Sequence, residues 1–300
     1  MSFSSETKTE LCRNPLGKLC CIRAELYGIL LFCNTFSAGE VRIVTEHRAF
    51  LQRVQKLLKR AAGLEADRKA GEETGGKFVL GIRDREKLQE LCALFGCELE
   101  RNPAHHVNLG VLEEECDRVS FVRGAFLAGG SLTSPAKSYH LELITSHYSV
   151  SREVFSLLQE MGFKPGSVTR NGNYVLYFKH SEAIEDLLTT LGAPVAAMEI
   201  MNTKVEKELV NRVNRRLNCD EANLDKMVEA AQAQLQAIHR LEERRQLESL
   251  SPKLREAAAL RLDNPELSLQ QLAAMAEPPV TKSCLNHRIR KLMELADKNA

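Results

Sequence analysis

The strongest constraint in this chain is an internal repeat. The segment Ala24-Glu-Leu-Tyr-Gly-Ile-Leu-Leu-Phe-Cys-Asn-Thr-Phe36 aligns without gaps on Ser120-Phe-Val-Arg-Gly-Ala-Phe-Leu-Ala-Gly-Gly-Ser-Leu132. Gly28 falls on Gly124, Leu31 on Leu127 and Thr35 on Ser131. Further along, Val54, Leu57 and Leu58 match Val154, Leu157 and Leu158, and Phe78 and Leu80 match Tyr174 and Leu176. Leu91, Phe95 and Gly96 then match Leu187, Leu191 and Gly192, so the offset stays between 96 and 100 residues across four elements. Chance similarity would not hold a register that long.

Each copy reads helix, strand, helix, strand, helix. In the first, residues 22–35 form an apolar helix, and Val41–Thr45 alternates and is β-branched, as a half-buried strand should be. Residues 48–62 carry Leu51, Val54, Leu57 and Leu58 at helical spacing. Lys77–Arg83 is a second strand, and Asp84 caps a helix through Phe95. The second copy predicts a helix at 117–129, a strand at 138–145 and a helix at 151–161. A hairpin at 167–179 turns on Asn171-Gly172, and Ser181 caps a helix at 182–191. Both apolar helices place small residues four apart, Ala24 with Gly28 and Gly124 with Ala128. That spacing lets the helix backbones approach closely across a pseudo-two-fold axis.

The chain has 300 residues, 44% hydrophobic and 27% charged, enough apolar material for packed cores. Its net charge is +1, so any affinity for nucleic acid must come from a local patch. Aromatics are 5% and Trp is absent, which argues against stacking platforms for unpaired bases. The start, MSFSSETKTELCR, lacks a signal-peptide core, and no apolar run is long enough to span a membrane. A cytoplasmic location with nine reduced cysteines is therefore expected. Cys92, Cys97, His105 and His106 cluster in sequence but fit no standard zinc spacing. They read as structural side chains, and neither a metal nor a cofactor is expected.

Arg123-Gly-Ala-Phe-Leu-Ala-Gly-Gly-Ser131 resembles the G-F-I-D-G-D-G-S motif of LAGLIDADG homing endonucleases. In that family the last acid of each motif binds a divalent metal for phosphodiester hydrolysis, which needs hard oxygen ligands. The matching positions here are Cys33 and Gly129, so the resemblance implies the fold without the catalytic carboxylates. Asp117 or Glu142 could supply displaced ligands.

The last hundred residues are helical. A polar helix at 196–217 carries Arg212, Arg215 and Arg216, and a boundary is expected near Asn218-Cys-Asp-Glu221. A packing helix follows over 223–247. Ser251-Pro252 starts a helix through Leu262. Ser268-Leu-Gln-Gln271 is a capping box, stapled by Leu267 and Leu272, for a short helix ending near Met275. Ala276-Glu-Pro-Pro279 forces a turn, and a final helix runs from Ser283 to Ala296 with Leu285, Ile289 and Leu292 on one face. This is the helix-turn-helix plan, and Thr281–Lys291 holds four basic residues and no acid. Asn286 and Arg290 are types that read adenine and guanine edges, and Lys282 and Ser283 suit phosphate. The expected DNA-binding set is Ser268, Gln270, Gln271, Thr281, Lys282, Ser283, Asn286, His287, Arg288, Arg290 and Lys291.

The degenerate repeat, together with Leu267-Ser-Leu-Gln-Gln-Leu-Ala and Val280-Thr-Lys-Ser-Cys-Leu-Asn-His-Arg-Ile-Arg-Lys-Leu292, resembles the bacterial WhiA family over essentially the whole chain. The fold implied is α+β: a tandem αββα-type LAGLIDADG-like repeat with pseudo-two-fold symmetry, then an all-α helix-turn-helix domain. The expected divisions are residues 1–108 and 109–200 for the two halves, 201–222 for a helical linker and 223–300 for the DNA-binding domain. The resemblance implies a non-enzymatic, nucleoid-associated DNA-binding regulator of transcription, tied to cell division, chromosome segregation and, in sporulating relatives, sporulation. Double-stranded DNA is the expected partner, with a sigma factor or another regulatory or division protein beside it. Neither a membrane nor a small-molecule substrate is expected. An active endonuclease and a protein-binding adaptor anchored to DNA are the alternatives.

Overall fold

The computed structural model describes residues 2–67, 72–73, 76–97 and 104–298. The chain divides into two compact units, Met1–Lys207 and Glu208–Ala300.

The first unit opens with α1 (Phe3–Arg13), whose Ser2 hydroxyl accepts from the Ser5 N–H at 3.2 Å. Then come α2 (Leu19–Phe32), β1 (Thr35–Phe36), β2 (Val41–Thr45), α3 (Arg48–Ala62), β3 (Glu72–Glu73), β4 (Lys77–Ile82) and α4 (Arg85–Phe95). The second half repeats the plan with α5 (Glu115–Gly129), β5 (Gly130–Leu132), β6 (Leu141–Thr145), α6 (Tyr148–Glu160), β7 (Gly166–Arg170), β8 (Asn173–Phe178) and α7 (Ser181–Leu191). The sheets are antiparallel with matching orders, β1-β2-β4-β3 and β5-β6-β8-β7. Even small devices recur. The His47 N–H donates to Thr45 Oγ1 at 3.1 Å, and the His147 N–H to Thr145 Oγ1 at 3.2 Å, each where a strand hands over to a helix.

The repeat axis is built on α2 and α5. A Cβ on Gly28 would sit 2.1 Å from the Phe121 carbonyl oxygen, and one on Gly124 would sit 2.1 Å from that of Glu25. The helices therefore touch backbone to backbone, as the paired small residues predict. Leu26, Tyr27, Ile29, Leu30, Phe121 and Phe126 pack around this seam, all essentially buried. Beside it lies a buried ion network. Arg53 makes a two-pronged contact with Glu25, and its Nη2 donates to Glu25 Oε2 at 2.8 Å. Arg53 also donates to the Asn14 carbonyl at 2.6 Å. Arg123, from the other half, reaches Glu25 Oε2 at 3.4 Å and donates to the Leu191 carbonyl at 2.7 Å. Each Arg53 nitrogen and each Glu25 oxygen thereby has a partner, which burial demands.

Local signals decide the element ends. Asp84 accepts from the Glu86 and Lys87 N–H groups, capping α4. Asn171 and Gly172 both take positive φ, 51° and 75°, which is the primed turn that Asn-Gly favours. Other expectations need correction. The helix predicted at 22–35 ends at Phe32, and Thr35–Phe36 instead forms β1, paired with β2. Its counterpart β5 likewise follows α5 directly, pairing with β6. Ser181 does not cap α7; it is the first helical residue, and His180 takes the cap position. The helix predicted to stop near Asn218–Glu221 runs on as α8 (Pro194–Glu243), one helix of 50 residues. After Pro194 at its first position the helix is polar but holds no further Pro and no Gly, so nothing in it breaks the backbone ladder. The start of α8 is capped from far away: Glu10 accepts from the Val195 N–H at 2.7 Å and the Ala196 N–H at 3.0 Å.

The second unit closes with α9 (Pro252–Asp263), α10 (Leu269–Met275) and α11 (Lys282–Lys298). Its core joins Ala237, Ile238 and Leu241 of α8 to Ala257, Leu272, Leu285, Ile289 and Leu292. Leu267 is partly buried against this core.

Candidate nucleic-acid interface

The helix-turn-helix is assembled by a few polar clamps. Ser268 Oγ accepts from the Gln271 N–H at 3.3 Å, and Gln271 Oε1 accepts from the Ser268 N–H at 2.9 Å. This reciprocal pair fixes where α10 begins. Arg261 is a buried guanidinium, lowered from its ordinary pKa by burial. It donates to the Leu267 carbonyl at 2.7 Å and so holds the loop ahead of that cap. Glu256 of α9 joins the turn to the following helix. One oxygen accepts from the Glu277 N–H at 2.9 Å, the other from Arg288 Nη1 at 2.9 Å. Thr281 Oγ1 accepts from the Cys284 N–H at 3.2 Å, capping α11.

These clamps sort the predicted DNA-binding residues. Ser268, Gln271 and Thr281 spend side-chain groups on caps, and the Arg288 side chain is only 13% exposed against Glu256. Lys291 is exposed and lies 3.5 Å from Glu294 on the next turn. Gln270 is exposed on α10. Lys282, Ser283, His287 and Arg290 are exposed and Asn286 half-buried along α11, while Leu285, Ile289 and Leu292 form the buried stripe that borders Lys282 and Asn286. Residues four apart stack on one helical face, so Lys282, Asn286 and Arg290 form one row. Arg212, Arg215 and Arg216 are exposed on α8. The Arg288 position shows what sequence alone could not: its type suits a groove, but a glutamate 32 residues away claims it.

The motif ends in the first unit are chemically quiet. The Cys33 thiol lies 3.2 Å from the Leu30 carbonyl and 3.1 Å from that of Thr35, and burial pushes its pKa up to about 12. A Cβ at Gly129 would stand 2.5 Å from the Ile144 carbonyl and 3.0 Å from the Phe32 ring, so no carboxylate fits there without displacing backbone. Asp117 sits at the opposite end of α5, about 18 Å away at 1.5 Å per residue. Its carboxylate takes the Glu114 N–H in a capping box. Glu142 is tied to His140 Nε2 at 2.7 Å and to Arg170 at 3.4 Å. Asp117 is therefore out of reach of the motif ends, and the Glu142 carboxylate is engaged by His140 and Arg170.

Cys92, Cys97, His105 and His106 do not converge. His105 stacks on Phe36 and meets the His147 ring edge-on at 4.2 Å between centroids, while His106 Nδ1 lies 2.8 Å from Glu153. Among the described residues, Cys20, Cys21, Cys116 and Asp117 do converge, with all four ligand atoms within 4.8 Å of one another. Also among the described residues, no helix is long and apolar enough to cross a membrane.

A duplicated LAGLIDADG-like unit without acids at its motif ends, joined to a helix-turn-helix domain, defines the class of protein. Comparison with known proteins agrees. The family profile described as the WhiA LAGLIDADG-like domain matches residues 118–210, and that of the WhiA C-terminal HTH domain matches residues 213–296. A protein of Desulforudis audaxviator named probable cell division protein WhiA is 37% identical over 304 residues, covering 99% of this chain and 97% of the relative. One of the same name from Desulfitobacterium hafniense (strain Y51) is 38% identical over 308 residues, covering 99% and 96%. The crystal structure of full-length DUF199/WhiA from Thermatoga maritima shares the fold, with a TM-score of 0.62 at 24% identity and 99% coverage of both chains. The chain belongs to the WhiA family.

Proposed function

We propose that this protein is a non-enzymatic, sequence-specific DNA-binding regulator in the cell-division programme, working at the nucleoid. The observation that carries the reading is the polar row of α11 that flanks its buried stripe. Lys282, Asn286 and Arg290 share it, and no acid lies between Thr281 and Lys291. Asn286 and Arg290 have the chemistry to read base edges in a major groove, and Lys282, at the helix start, to hold a phosphate. The names of the curated relatives support the division role. The motif ends support the absence of cleavage, since a thiol held by two carbonyls and a sterically closed glycine cannot share a Mg²⁺ ion. DNA is the primary partner, and a sigma factor or division protein is the second partner class.

The test uses the full chain on its mapped genomic site and on random DNA. Asn286→Ala and Arg290→Ala should each cost about 1–3 kcal/mol on the specific site and much less on random DNA. Lys282→Ala should weaken both and make the salt slope shallower by about one unit. Equal losses on both DNAs for Asn286→Ala and Arg290→Ala would show that α11 only clamps phosphate. Linear product from supercoiled plasmid in Mg²⁺ would overturn the non-enzymatic reading.

A further inference from the structure

The starts of α2 and α5 carry a group of side chains that the DNA-binding reading does not use. Cys20 and Cys21 lie in the first turn of α2, and Cys116 and Asp117 in the first turn of α5. The repeat offset of 96 residues places Cys20 on Cys116 and Cys21 on Asp117. The pseudo-two-fold axis therefore brings one pair from each half to a common point, and the close α2–α5 seam sets their separation.

We infer that Cys20, Cys21, Cys116 and Asp117 form a site for a thiophilic divalent cation of the Zn²⁺ type, bridging the two repeats. The geometry is near what the ion needs. Two sulfurs 2.3 Å from a tetrahedral Zn²⁺ stand about 3.8 Å apart, and a sulfur and a carboxylate oxygen about 3.6 Å apart. Cys20 Sγ and Cys21 Sγ are 3.9 Å apart, and Cys116 Sγ and Asp117 Oδ1 are 3.6 Å apart. All four donor atoms lie within 4.8 Å of one another, so a shift of a few tenths of an ångström at each closes the tetrahedron. Asp117 is only 3% exposed, and its Glu114 cap bond uses one oxygen while the other faces the thiols. Three sulfurs and one oxygen select a borderline-soft ion over Mg²⁺ or Ca²⁺.

Two further features fit. Both helices begin at this point, so their partial positive ends add and favour the negative donors of the bound state; in the ion-free site hydrogen bonds with Asp117 and Cys21 hold the Cys20 and Cys116 thiols above their ordinary pKa. The ion also has a way in, because Cys21 and Cys116 line an open cavity of about 710 Å³ together with Glu115 and Arg123. On binding, each thiol gives its proton to solvent and its sulfur lone pair to the ion, with no change of oxidation state. Asp117 binds as the carboxylate.

The test is a Zn²⁺ and Co²⁺ titration of the reduced full-length chain, scored by thiolate-to-Co²⁺ charge-transfer absorption and by Zn²⁺ retention against a chromogenic chelator. One ion per chain is expected. Zn²⁺ should protect Cys20, Cys21 and Cys116 from alkylation, mapped by mass, and raise the melting midpoint of the first unit. Exposed Cys219 and Cys284 in the second unit should react regardless. Cys116→Ser and Cys21→Ser should each weaken binding more than tenfold, and Cys219→Ser should not. Cys116 is exposed, so its replacement leaves the fold intact, as far-UV circular dichroism will show. The inference is overturned by failure of the wild type to retain stoichiometric Zn²⁺, by equal affinity in Cys116→Ser and wild type, or by a Cys21–Cys116 disulfide that forms readily in place of metal binding.

Discussion

Replacing Gly28 with Ala tests the seam on which the repeat is built. In an ordinary exposed helix this change stabilises by about 1 kcal/mol, because Gly is the poorer helix former. Here the new Cβ would stand 2.1 Å from the Phe121 carbonyl oxygen and 3.0 Å from the Ala125 nitrogen. Ordinary carbon–oxygen contact is about 3.3 Å, so the backbones must part by roughly 1 Å. The buried side chains along the seam then lose a quarter to a half of their dispersion wells where the gap opens. Overpacking costs about 1–3 kcal/mol, and a clash with backbone atoms rather than a movable side chain puts this site at the upper end, about 3 kcal/mol, above the propensity gain of about 1 kcal/mol. The net expectation is a loss of about 2 kcal/mol, which lowers the folded-to-unfolded ratio of the first unit roughly thirtyfold. Gly124→Ala meets the Glu25 carbonyl at 2.1 Å and should behave alike. The double variant should cost less than the sum, since one separation of the helices accommodates both methyls. Urea unfolding followed by far-UV circular dichroism and by tyrosine fluorescence, to which buried Tyr27 contributes, reads the effect in a chain without Trp. Gly39→Ala is the control, because nothing lies within 4 Å of its Cβ position. A Gly28→Ala protein as stable as the wild type, or more so, would refute the backbone-to-backbone seam.

Glu25→Ala leaves Arg53 and Arg123 facing each other in the core and should cost about 3–5 kcal/mol in the same unfolding assay; a loss under 1 kcal/mol would show that water reaches the site. Burial, aided by His105, holds His147 at a pKa of about 4 against 6.5 in the unfolded chain. The folded state thus binds fewer protons, so stability is complete above pH 6.5 and falls as pH drops towards 4. His105 is lowered by burial and acts in the same direction. Asp67, held at about 2 by Lys87, loses its contribution only at lower pH, below the ordinary carboxylate range. His147→Gln should flatten the upper window and leave the lower one; parallel urea-midpoint curves for the two proteins would refute the assignment. Glu256→Ala frees both the turn N–H of Glu277 and Arg288, and should cost about 2 kcal/mol in the second unit. Arg288→Ala in the Glu256→Ala background should then add little; full additivity would show that the two residues act separately.

Sequence alone determined what depends on residues a few positions apart. The 96-residue offset foretold two like halves, and the small residues at Ala24, Gly28, Gly124 and Ala128 foretold their contact. The Asp84 cap, the Ser268–Gln271 capping box and the Asn171-Gly172 turn were legible because each satisfies its own neighbouring backbone. The apolar stripe of Leu285, Ile289 and Leu292 likewise marked which side of α11 faces inward. Tertiary structure decided whatever depends on partners far along the chain. The continuity of α8 through Asn218–Glu221 was hidden, since a polar stretch without breakers reads equally as linker or helix. β1 and β5 are too short to announce themselves; they exist because β2 and β6 offer edges to pair with. Gly129 showed in sequence only as a missing acid, whereas packing against Ile144 and Phe32 leaves no room for one. Arg288 was indistinguishable from Arg290 until Glu256 closed on it. The meeting of Cys20 and Cys21 with Cys116 and Asp117 likewise required two helix backbones to touch. Covalent neighbours fix local conformation within a turn or two of chain, while contacts between distant side chains are set only when packing brings their backbones to a defined separation.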